Sequence, residues 1–103
     1  MGRYRIGVAS QEWESPIPGV RQKTAVQEPK RVRLVEYSRE MAPHWCESGH
    51  YGYVLDGTLE ITFDSETDVF ESGDAVLIPH GSQHRHKARA LTETVSVVFV
   101  ENV

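Results

Sequence analysis

Residues 51–63 read YGYVLDGTLEITF. Two runs rich in aromatic and β-branched side chains flank Asp56-Gly57, a dipeptide favoured where strands reverse through a type I′ turn. The pattern predicts a hairpin, with Gly57 supplying positive φ and Asp56 serving the turn rather than acid chemistry. Downstream, DSET (64–67) is a polar turn and DVFESGD (68–74) a short strand closing on Gly73-Asp74. AVLIP (75–79) is apolar throughout and predicts a buried strand stopped by Pro79. HGSQ (80–83) is a loop, HRHKARA (84–90) an alternating strand, LTET (91–94) a turn, and VSVVFVENV (95–103) a last strand. Upstream, KRVRLVEY (30–37) and VRQKTAV (20–26) read as strands, whereas ESPIPGV (14–20), with two prolines and a glycine, reads as a loop or arm. There is no convincing helix, repeat or low-complexity tract. Many short strands at intervals of about 8–12 residues define an all-β barrel or sandwich.

The chain has 103 residues, enough for one domain with a real core. A net charge of −4 provides no basic footprint for phosphate backbones, so nucleic acid is excluded as a partner. No apolar run approaches the ~20 residues that span a bilayer. The opening MGRYRIGVASQEW lacks the apolar stretch of a secretory signal, and Arg5 and Ile6 do not suit myristoylation at Gly2. One cysteine cannot form an internal disulfide, and a reducing, cytoplasmic setting is expected.

All five histidines fall between positions 44 and 86, and the single cysteine lies among them. Residues two apart on a strand share a face, so His44 should project with Cys46, and His84 with His86. Two such strands in a closed sheet can aim imidazole and thiol groups at one point, as a metal requires.

The spacing resembles a known family. His44-x-Cys46-x3-His50-x6-Gly57 is similar to the first cupin motif, in which His-x-His is followed by Glu and then Gly. Gly73-x5-Pro79-x-Gly81-x2-His84 is similar to the second, complete to His84; Ala88 stands where an asparagine often follows. The resemblance is to small single-domain cupins and covers roughly residues 32–100. It implies an all-β, double-stranded β-helix (jelly-roll) barrel over 31–103, preceded by an N-terminal arm and edge strands over 1–30. Pairing into a homodimer is also implied.

Carried over position by position, the resemblance implies metal ligands at His44, Cys46, His50 and His84. Cys46 replaces a histidine and His50 replaces the glutamate. Three imidazoles and a thiol without a carboxylate suit a divalent transition metal such as Fe, Zn, Ni or Cu. They leave it a net positive charge that favours an anionic small molecule. His86 is expected in the pocket or the outer coordination sphere, and Arg21, in a PGVRQK segment like that preceding small cupin barrels, could reach an anionic ligand. Tyr53 is a candidate pocket tyrosine, although strict alternation turns Trp45, Tyr51 and Tyr53 to the face opposite the ligands.

Two function classes follow. One is a metal-dependent enzyme of dioxygenase, isomerase or lyase type acting on a small polar or anionic compound. The other is a non-catalytic module that binds a metal or small molecule as a sensor or store.

Overall fold

A computed structural model describes residues 4–103. A 3-10 turn at Val8–Ser10 precedes nine strands: β1 (Glu14–Ile17), β2 (Val20–Gln27), β3 (Lys30–Ser38), β4 (His50–Asp56), β5 (Thr58–Phe63), β6 (Thr67–Glu71), β7 (Ala75–Ile78), β8 (His86–Ala90) and β9 (Thr94–Asn102). A second 3-10 turn, Ser82–His84, lies between β7 and β8. All pairings are antiparallel. They form a six-stranded sheet, β1-β2-β3-β9-β4-β7, and a three-stranded sheet, β6-β5-β8. This is the all-β jelly-roll architecture expected of a cupin, built as two facing sheets rather than one closed cylinder. The core between them includes Val35, Val54, Leu59, Val76, Val95, Val97 and Phe99.

Four local expectations change. Asp56-Gly57 is not a hairpin turn, because β4 pairs with β7 and β9 whereas β5 pairs with β6 and β8. The dipeptide is a corner at which the chain leaves one sheet for the other. Gly57 alone has positive φ (+83°), whereas a type I′ turn needs two such residues. A Cβ there would lie 2.3 Å from Thr94 O, so the close passage of β9 makes this position glycine. Secondly, β7 is not buried throughout: Val76 and Ile78 face the core, but Leu77 is 70% exposed. Thirdly, residues 14–17 form a short edge strand, where Pro16 is tolerated. Fourthly, β8 begins at His86, because the preceding residues coil into the 3-10 turn.

The outer face of the larger sheet is apolar. Val32 pairs with Val100, Val100 with Tyr51, and Tyr51 with Leu77, giving one row across four strands. All four are at least 40% exposed. No described helix is long and apolar enough to cross a membrane.

Candidate metal centre

Residues 42–49 form no strand, but one bridge fixes them. Cys46 N–H donates to His86 O at 2.8 Å, and His86 N–H donates to Cys46 O at 2.9 Å. Trp45 next door is partly exposed and lies beneath the Arg85 guanidinium (4.2 Å) and the Lys87 ammonium (4.8 Å). With Trp45 held outside, Cys46 faces the interior.

His50 opens β4 on the larger sheet, and His86 opens β8 on the smaller one. Their rings meet edge to face, with centroids 5.1 Å apart. Phe99 supports the His50 ring at 4.7 Å. Gly52 makes room for it: a Cβ there would lie 2.8 Å from the Phe99 ring and 2.1 Å from Val98 O. Ligand atoms of Cys46, His50 and His86 all lie within 4.8 Å of one another.

Hydrogen bonds set which nitrogen each ring presents. His86 Nδ1–H donates to the carbonyl of His84 at 3.0 Å, leaving Nε2 with the lone pair. That Nε2 is buried and has no hydrogen-bond partner. Leaving such an atom unmatched costs about 1–3 kcal/mol. His50 Nδ1–H donates to Glu101 Oε2 at 2.7 Å, so its Nε2 is also the free acceptor. An imidazole that faces a cation with one nitrogen and a carboxylate or carbonyl with the other is the usual arrangement of a metal-binding histidine. The site therefore fits a thiol- and imidazole-seeking divalent ion.

Glu101 is held by two arginines as well as His50. Arg31 Nη2 donates to Oε1 at 2.8 Å, and Arg33 donates to Oε1 and Oε2 at 3.1 and 2.9 Å. Burial opposes ionisation of Glu101, but these partners outweigh it and hold the carboxyl well below the usual carboxylate range. Burial lowers the His86 pKa; the His84 carbonyl opposes that shift and the nearby His50 adds to it. Tyr37 lines the same interior cavity; burial pushes its phenol up to about 12, with Arg33 opposing. The cavity has a volume of about 230 Å³, with Leu59, Ile61 and Val76 as apolar walls.

Cys46 and His50 are thus brought together with His86, which stands among the donor groups rather than behind them. His44 lines the same cavity from an exposed position, donating Nδ1–H to Ala42 O at 3.2 Å. The structure places His84 elsewhere: its ring lines a separate cavity with Phe63, Asp64 and Gln83, and only its carbonyl reaches the centre, through His86. The physical reason is the 3-10 turn, which breaks the alternation that would have put residues 84 and 86 on one face. Tyr53 is 47% exposed on the outer sheet face and lines none of the described cavities at the centre. Arg21 pairs with Glu36 at 2.8 Å and stacks on Trp13 at 4.2 Å, away from the centre. Glu101, Arg31, Arg33 and Tyr37 were missed. The readable sign of Glu101 was a carboxylate on the inward side of an otherwise apolar run, two residues past Phe99.

A family model described as Cupin domain matches residues 31–101. The chain belongs to this family. Among solved structures, KdgF from Halomonas sp. is 27% identical, with a TM-score of 0.74 over 89% of this chain and 87% of that one. A cupin-2 domain protein from Shewanella frigidimarina is 24% identical, with a TM-score of 0.67 over 80% and 79%. The polyketide cyclase RemF from Streptomyces resistomycificus has the same fold at 21% identity, with a TM-score of 0.74 over 95% and 78%. No curated protein matches the chain.

Proposed function

We propose that this cupin holds a divalent transition ion through Cys46, His50 and His86 and acts on a small polar or anionic compound in the adjoining cavity. The carrying observation is His86 Nε2, an acceptor buried without a partner beside a thiol and a second oriented imidazole. His44, on the wall of the same cavity, is the remaining imidazole available as a fourth donor. Iron, zinc, nickel or copper suits this set, and such an ion, when bound, supplies Lewis acidity toward a ligand oxygen or nitrogen.

The chain's own groups equip the cavity to hold and orient a small compound. Tyr37 keeps its proton at neutral pH and can donate a hydrogen bond into the cavity. Arg33 adds fixed positive charge at the same wall. Leu59, Ile61 and Val76 exclude water, which strengthens both effects. A cavity of about 230 Å³ suits a compound smaller than those filling drug-sized pockets of ~300–1,000 Å³. The reaction would be of isomerase, lyase or dioxygenase type. A free thiol at the centre agrees with a reducing, cytoplasmic setting. The apolar row Val32, Val100, Tyr51 and Leu77 supports pairing with a second copy across the larger sheet.

Metal analysis of purified protein tests the centre. About one equivalent is expected in the wild type and in His84→Ala, with loss in His86→Ala. Equal, near-zero metal in all three defeats the reading. Screening the loaded wild type for turnover beside ligand-induced stabilisation separates the enzyme from a sensor: product formation marks the enzyme, and stabilisation without turnover marks the sensor.

A further inference from the structure

Cys46 and His50 are lined by two spaces. One is the apolar interior cavity; the other is a groove of about 610 Å³ that shares Cys46, His50 and Arg33 with it. The groove differs from the cavity in charge. Among the described residues lining it, Lys30, Arg31 and Arg33 face a single carboxylate, Glu101. That carboxylate is already committed to Arg31, Arg33 and His50. Among the described residues, Lys30 Nζ has only the neutral Asn102 Oδ1 as partner, at 2.7 Å. Arg31 Nε is buried and has no hydrogen-bond partner among the described residues.

The rim is a fixed structure. Gly81 N–H donates to Glu47 O at 3.0 Å, tying the turn after Pro79 to the segment that carries Cys46. A Cβ on Gly49 would lie 2.7 Å from His80 N, so glycine lets that turn sit directly on the segment. His80 and Ser48 are thereby set on the groove wall.

We infer that this groove, whose edge includes Tyr51 and Val100 of the outer sheet face, is an oxyanion-binding subsite that takes a carboxylate or phosphate beside Cys46 and His50. Lys30 and Arg31 supply the charge; His80, Ser48 and Asn102 supply further hydrogen-bond donors. A ligand reaching the ion through this face would carry an anionic end. That last step rests on the proposed metal centre, whereas anion binding itself does not.

The test is isothermal titration of succinate and of inorganic phosphate into zinc-loaded and metal-free protein, wild type against Lys30→Ala/His80→Ala. Both substituted residues are exposed, so the fold should survive. Saturable binding that weakens about ten-fold or more in the double variant is expected, with zinc content unchanged. Tighter succinate than phosphate assigns a carboxylate, and the reverse assigns a phosphoryl group. No saturable binding of either probe to the wild type, or equal affinity in the double variant, overturns the inference. Loss of zinc with retained anion binding would remove the metal reading and leave the groove standing.

Discussion

Glu101 Oε2 accepts the Nδ1 proton of His50 at 2.7 Å. The carboxylate itself is gripped by Arg31 and Arg33, so the imidazole is oriented by a support that cannot easily rotate. Its other nitrogen is left to face Cys46 and His86.

Glu101→Gln keeps the shape but removes the charge. Metal affinity should fall about 10- to 100-fold, read by competition with a chelating dye. Glu101→Ala should also destabilise the metal-free protein by about 1–3 kcal/mol, because two arginines and a histidine lose their acceptor; denaturant unfolding measures it.

The metal-free protein should lose stability on acidification in two windows. His86 has a folded pKa below its ordinary 6.5, so the unfolded chain binds its proton more readily. Stability from His86 is complete above that value and is lost as pH falls below it. Glu101, whose folded pKa is also lowered, contributes fully above about 4.5 and loses its share further into acid. Urea midpoints from pH 7 to pH 5 should fall in the wild type and fall less in His86→Gln.

Cobalt loading gives an optical test of the thiol. The Co(II) protein should show a sulfur-to-metal charge-transfer band that Cys46→Ser abolishes. An unchanged spectrum would place Cys46 outside the coordination sphere.

Leu77→Glu should separate a dimer into monomers, read by light scattering on a sizing column. Leu77 is 70% exposed, so the change should alter unfolding by no more than about 0.5 kcal/mol.

Gly52→Ala is the packing test. The added methyl would meet Val98 O and the Phe99 ring, and overpacking of this kind costs about 1–3 kcal/mol. Because Phe99 supports His50, metal affinity should fall with stability.

The strands were legible because turn residues punctuate β-rich runs at nearly every boundary. Their partners were less so, since pairing depends on long-range register. Asp56-Gly57 carries hairpin chemistry yet sits at a crossing between sheets, a distinction visible only from β9. KRVRLVEY reads only as a strand, without a facing; in the structure Arg31 and Arg33 line the groove and Arg33 the interior cavity, while Val32 lies on the outer face. Those arginines are tolerated inside because Glu101 accepts hydrogen bonds from both and offsets part of their charge, and the pairing of Arg31 with Glu101 spans β3 and β9. Cys46 and His50 stood out as soft donors in one short segment. His86 was visible as a residue but not as a donor, because an even strand over 84–90 hides the 3-10 turn that promotes it.

His50 belongs to the larger sheet and His86 to the smaller, with Cys46 bridged to the latter. An ion shared by the three would rivet the two layers of the sandwich where β4 and β8 begin. Loading would then be felt as mechanical cohesion, and a chelator would loosen the whole domain along with removing the ion's chemistry.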